Sequence, residues 1–128
     1  MRLLLDSQAF LWWRIDDPQL SRVAERVLRD TSNQVFFSAA SAWELAIKSK
    51  SGKLKVHDGL IENLGPELES EGFEVMPITL AHALRAASLP IHHRDPFDRM
   101  LVAQTQIEDL AIVSNDAIFD AYRVRRLW

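Results

Sequence analysis

The chain has 128 residues, near the commonest size of one domain, so a single full core over residues 1–128 is expected and a second domain is not. Its composition, 48% hydrophobic and 26% charged, is ordinary for a globular protein, and zero cysteines exclude a disulfide framework and any thiolate metal site. A net charge of −3 supplies no global field for a polyanion, and no apolar run reaches membrane-spanning or signal-peptide length, so a cytoplasmic protein with no membrane partner is expected.

In chain order, residues 2–6 are a short apolar run closed by Asp6 and read as a buried strand. After Pro18, Leu20, Val23, Ala24 and Val27 recur at three- and four-residue spacing and predict a helix. Residues 35–38 read as a second strand, and Trp43, Ala46 and Ile47 behind it repeat at helical spacing. Residues 54–72, interrupted by Gly59, Gly65 and Pro66, read as a loop plus one broken helix. A third strand spans 73–78. Asp95-Pro96 then opens a helix marked by Phe97, Leu101, Val102 and Ile107, because proline suits the first helical position and Asp95 the cap. Leu110 turns the chain into a strand at 111–114, and a last one follows at 123–127. Strands alternating with helices predict an α/β fold with a mostly parallel sheet of four to five strands, covered on both faces, since parallel strands need long crossovers.

In such a sheet every strand ends at one edge, where the next helix starts. Asp6 ends the first strand, Glu44 lies in the early turns after the second, Asp98 sits just past the Asp95 cap, and Asp116 follows the fourth strand. All four acids are therefore expected at one edge. Four ionised carboxylates within about 4 Å would repel by roughly 4 kcal/mol per pair at an effective dielectric of about 20, or about three pKa units. They need a cation or protons. Oxygen ligands without cysteine favour Mg²⁺ or Mn²⁺ over zinc, and such a site commonly polarises a phosphoryl oxygen and activates a water, which points to phosphodiester hydrolysis.

The competing reading is structural. Ser41-Ala42-Trp43-Glu44 has the capping-box pattern, Asp95 to Asp98 nearly so, and Asp116 can cap a short turn over 117–122. Taken singly, Glu44, Asp98 and Asp116 are as well explained as caps. Asp6 is harder to dismiss, because an acid closing a buried apolar strand is costly unless something polar meets it.

Four segments carry a family resemblance: Leu3-Leu4-Leu5-Asp6-Ser7; Ser38-Ala39-Ala40-Ser41-Ala42-Trp43-Glu44-Leu45-Ala46-Ile47-Lys48; His92 through Gln104, with Asp95-Pro96-Phe97-Asp98 at its centre; and Ile112-Val113-Ser114-Asn115-Asp116. In this order they resemble the PIN-domain ribonucleases, and among these the toxins of VapBC-type toxin–antitoxin pairs. The resemblance implies a three-layer α/β/α sandwich, Mg²⁺- or Mn²⁺-dependent cleavage of RNA, a homodimer, and inhibition by a cognate antitoxin. It places Asp6, Glu44, Asp98 and Asp116 at the catalytic positions. Asp6 and Asp98 are then the direct metal ligands, Glu44 and Asp116 further candidates, and Ser7 and Ser114 supporting residues, with Ser114 orienting Asp116 or a water. The chain departs from the pattern at Gln8, where a histidine is usual, and at Asn115, where threonine or arginine often stands.

His92 and His93 precede the Asp95 cap and read as loop residues. Two basic runs, Lys48, Lys50, Lys53, Lys55 and Arg123, Arg125, Arg126, read as solvated faces able to meet RNA or antitoxin. Trp12, Trp13, Trp43 and Trp128 exceed what a small core needs; core packing is the default reading, and a dimer or antitoxin interface for at least one of them is the alternative. The alternatives are a catalytically silent PIN-like binding module, or a Mg²⁺-dependent phosphotransfer or receiver-type domain. The phosphotransfer reading wants an acid where Gln8 stands, and the receiver reading wants a late lysine, whereas the last here is Lys55.

Overall fold

The computed structural model describes residues 1–57, 59–92 and 94–128. Among them, β1 (Arg2–Leu5), β2 (Gln34–Ser38), β3 (Glu74–Met76), β4 (Ala111–Val113) and β5 (Arg126–Leu127) form one all-parallel sheet in the order β3-β2-β1-β4-β5. The helices are α1 (Ser7–Arg14), α2 (Arg22–Arg29), α3 (Ala39–Lys50), α4 (Leu64–Ser70), α5 (Leu80–Ser88) and α6 (Pro96–Glu108), with a 3₁₀ turn over Ala117–Tyr122.

Side chains alternate across a strand, and that alternation divides the interior into two cores. Leu3 and Leu5 of β1, with Val35, Phe37, Ala111 and Val113, face Phe10, Leu28, Leu45, Leu60 and Leu68. Leu4 points the other way with Phe36, Met76 and Ile112, toward Leu101, Val102, Leu110, Phe119 and Tyr122. The result is the three-layer α/β/α sandwich. Because β1 is buried on both faces, its sequence is a continuous apolar run rather than an alternating one. Each fully buried Leu or Phe contributes roughly 1.5–3 kcal/mol, which makes β1 the best-anchored strand from which to hang a functional group.

Several elements differ from the sequence expectation. No helix was expected over α1, where Ala9 to Trp13 are apolar without a polar face. The structure explains this, because α1 packs on more than one side: Phe10 is fully buried, Trp13 meets Phe73 at 5.9 Å, and Trp12 meets Trp128 at 5.8 Å. α2 begins at Arg22, not after Pro18, because Ser21 caps it by accepting from the Ala24 N–H at 3.0 Å. In α3 the Trp43, Ala46, Ile47 repeat marks a helix but not its buried face. Trp43 is 62% exposed, while Ala40, Ser41, Glu44 and Leu45 point inward. α5, also unanticipated, buries His82 and Ala86 and exposes Leu80 and Leu84, and a capping box between Thr79 and His82 starts it. β5 is shorter than 123–127, since Arg123 closes the 3₁₀ turn in the left-handed conformation, φ 59°. The turn before β4 is made at Asp109, φ 53°, one residue ahead of Leu110.

Candidate active site

Chain order reverses about β1: from it the chain moves to β2 and β3 on one side and returns to β4 and β5 on the other. The carboxyl ends of β1 and β4 therefore flank a topological switch point, the usual ligand-binding crevice of an open α/β sheet. Asp6 stands there directly after β1, its N–H donating to the Val113 carbonyl at 3.1 Å. It occupies the N-cap position of α1 but makes no side-chain capping bond. Instead its Oδ2 accepts from the Ser114 hydroxyl at 2.8 Å.

Ser114 is fully buried and works in two directions. While donating to Asp6, its Oγ accepts the Asp116 N–H at 3.0 Å, which fixes the chain leaving β4. Asp116 then caps the 3₁₀ turn through Oδ1 and the Ile118 N–H at 3.0 Å. Arg126 braces the same loop from β5, donating to the Ser114 carbonyl at 3.2 Å and pairing with Asp120 at 3.0 Å.

Glu44 is buried in the second turn of α3. The capping-box reading of Ser41 and Glu44 does not hold: α3 starts at Ala39 with Ser38 as its cap, so both residues lie inside the helix. Glu44 accepts from the Ser7 hydroxyl at 2.9 Å on Oε1 and from the Lys48 ammonium at 3.0 Å on Oε2. Asp95 does cap α6, its Oδ1 accepting from the Phe97 N–H at 2.9 Å, and Asp98 follows in the first turn.

Charge ties these residues together. Burial is the main force pushing the Asp6 carboxyl up to about 6, and the nearby carboxylates of Glu44 and Asp116 push it the same way, against the pull of the Ser114 hydroxyl and the Ser7 N–H. Burial works against the Lys48 ammonium, but Glu44 outweighs it, with Asp95 and Asp98 adding attraction, and the net effect raises the lysine. Asp6, Glu44 and Asp116 thus share one electrostatic neighbourhood, and Lys48 links Asp98 to it. Among the described residues no group of three or more His, Asp or Glu side chains is set closely enough to hold one ion. The carboxylate and hydroxyl oxygens on hand nonetheless suit a hard cation, which is often held by only one or two carboxylates, with waters and substrate phosphates completing its shell.

Other candidates lie apart. His92 meets Tyr122, ring edge at 5.0 Å, and its backbone N–H is shared between the Tyr122 phenol oxygen at 3.1 Å and the Pro90 carbonyl at 3.0 Å. His93 is outside the described residues. Sequence reasoning missed Lys48 as a site residue and left it in a basic run. Its signal was the four-residue spacing from Glu44, the distance at which helical side chains meet. Beside the acids, between α3 and α6, Ala40, Trp43, Ile78, Pro96, Phe97 and Met100 line an apolar groove of about 200 Å³, with Trp43 edge-on to Phe97 at 5.3 Å.

A family model described as the PIN domain matches residues 3–125. Three solved structures align over nearly the whole chain. FitAcB from Neisseria gonorrhoeae is 19% identical, covering 97% of this chain and 95% of that one, with a TM-score of 0.63. VapBC2 from Rickettsia felis, bound to a DNA fragment from its promoter, is 14% identical, covering 98% and 97%, TM-score 0.67. VapBC-1 from nontypeable Haemophilus influenzae is 14% identical, covering 98% and 96%, TM-score 0.67. At such identities the likeness is one of fold. No curated protein matches the chain.

Proposed function

The chain belongs to the PIN-domain family, whose members are generally nucleases, and from that premise we propose that it is a metal-dependent ribonuclease and the toxin of a toxin–antitoxin pair. One observation carries the reading. Asp6 is 8% exposed, ends the central strand at the switch point, and has a carboxyl pushed up to about 6 by its burial and by Glu44 and Asp116. A purely structural site would not leave a buried acid so poorly compensated. It is the condition of a site short of positive charge.

In this reading Asp6 and Asp98 hold Mg²⁺ or Mn²⁺, which when bound polarises the scissile phosphate and lowers the pKa of an attacking water. The protein's own part is orientation. Ser114 holds Asp6 through one carboxylate oxygen, and the same hydroxyl fixes the backbone of Asp116. Glu44, held at both oxygens by its two donors, is the acceptor for a water proton. RNA is the substrate we assign, with basic residues such as the exposed Lys50, Lys53 and Lys55 as its phosphate contacts.

We assign the partners in the same way. A neighbouring fold from Klebsiella pneumoniae is a toxin–antitoxin complex, and two others are VapBC proteins, the type whose toxins the sequence motifs resemble. A cognate antitoxin would lay an apolar side chain in the Trp43–Phe97 groove and bring an arginine or lysine to the acids beside it. Leu80 and Leu84, 76% and 64% exposed one turn apart on α5, offer an apolar face for a second copy. No helix among the described residues is long and apolar enough to cross a membrane. A cytoplasmic, single-domain protein completes the reading.

Purified protein should degrade RNA in Mg²⁺ or Mn²⁺ and stop when chelator is added, and Asp98→Asn should be inactive. Cleavage that persists after complete metal removal would overturn the mechanism.

A further inference from the structure

Lys48 stands one turn beyond Glu44 on α3, with its ammonium 3.0 Å from Glu44 Oε2. On an exposed helix such a pair contributes a few tenths of a kcal/mol and carries no further meaning. Here the two ends are unequal: the Lys48 side chain is 44% exposed, but that of Glu44 only 7%. The second Glu44 oxygen is also taken, by the Ser7 hydroxyl at 2.9 Å. Glu44 is therefore gripped at both oxygens, by a neutral donor from α1 and a charged donor from its own helix. Asp95 and Asp98 at the start of α6 also attract the Lys48 ammonium, so the cation that grips Glu44 feels the acids of both helices.

A carboxylate held at both oxygens has its plane fixed. Its remaining lone pairs can accept from water, but turning to face an ion would break a charge-assisted hydrogen bond. We propose that Lys48 is a positioning residue that, with Ser7, clamps Glu44 in place as the proton acceptor of the site and keeps it out of the coordination sphere of the cation. This rests on the ribonuclease reading above and narrows it, since Glu44 there could equally be a metal ligand. The clamp belongs to the turnover step. It is not needed for binding RNA or for binding the ion.

The test compares RNA cleavage kinetics and Mn²⁺ calorimetry for the wild type, Lys48→Met, Lys48→Arg, Ser7→Ala and, as a control for loss of a surface charge away from the site, Arg22→Met at the exposed start of α2. Lys48→Met and Ser7→Ala should each lower kcat by about 10- to 100-fold while KM and the Mn²⁺ dissociation constant stay within about threefold of wild type. Lys48→Arg should recover much of the lost kcat, and Arg22→Met should lose none. A Lys48→Met enzyme with raised KM and normal kcat would make Lys48 a phosphate contact and overturn the clamp. A change of about tenfold or more in Mn²⁺ affinity would put Glu44 on the metal and overturn it as well. Wild-type protein inert toward RNA would remove the ribonuclease reading and this role together, whereas an active wild type with an unaltered Lys48→Met kcat removes this role alone.

Discussion

Replacing Asp6 by asparagine should stabilise the metal-free protein at neutral pH, and the size of the effect follows from the site. The Asp6 carboxyl rises from 3.8 to about 6 in the folded chain, burial being the main cause with Glu44 and Asp116 adding to it. About two pKa units correspond to about 3 kcal/mol. The sign follows from proton binding. Between these two values the folded protein holds a proton that the unfolded chain has released, so stability falls as pH rises from about 4 to about 6 and stays reduced above that. Asparagine removes the penalty but weakens the bond from Ser114, worth about 1 kcal/mol, leaving a net gain of about 1–2 kcal/mol at pH 8. For a chain of this size that is roughly 4–8 °C in Tm. At pH 4 the gain should vanish or reverse, because wild-type Asp6 is then protonated. Saturating Mn²⁺ should raise the wild type by about 2–3 kcal/mol at 100 times the dissociation constant and leave the variant unmoved. Melts at pH 4 and pH 8, in chelator and in Mn²⁺, measure all four quantities. A variant no more stable than wild type at pH 8 in chelator, with no dependence of the difference on pH, would refute the claim that crowding and burial strain this carboxylate.

Asp116→Asn separates cap from chemistry: asparagine caps the 3₁₀ turn as well as aspartate, so melting should stay within about 0.5 kcal/mol of wild type while RNA cleavage is lost. Phe37→Ala should cost about 3–5 kcal/mol by chemical denaturation, since Phe37 is fully buried and packs at a tilt against Phe10, ring centroids 4.9 Å apart. Thr79→Ala should cost about 1 kcal/mol by removing the oxygen that accepts the His82 N–H at 3.1 Å, with cleavage unaffected. If the exposed Leu80 and Leu84 face meets a second copy, light scattering should give a dimer for the wild type and a monomer for Leu84→Glu, whereas a wild-type monomer at high micromolar concentration would count against the assembly.

The strands and the edge at which the acids stand were legible from local pattern. Leu3 to Asp6, Val35 to Ser38 and Ala111 to Ser114 are apolar runs closed by a polar residue, and a buried parallel strand allows little else. Asp95-Pro96 announced α6 for an equally local reason, since cap and first-turn proline act within three residues. Faces were another matter. Trp43 and Ile47 repeat at helical spacing yet lie outside, Leu80 and Leu84 do the same, and α1 went unseen because its neighbours cover it on several sides. Which side of a helix is buried depends on what packs against it, and that is settled by residues far away in the chain. The same holds for the acids: whether Glu44 capped a helix or lay inside one turned on Ser38 being the cap of α3, and the strain on Asp6 arises first from its burial and then from Glu44 and Asp116, 38 and 110 positions distant. Local sequence determined which carboxylates reach the edge, because strand ends and helix starts are short-range events. Only the tertiary structure decided which of them feel one another and that Ser7, Ser114 and Lys48 hold them, because hydrogen bonds and Coulomb forces act over a few ångströms of space whatever the separation along the chain.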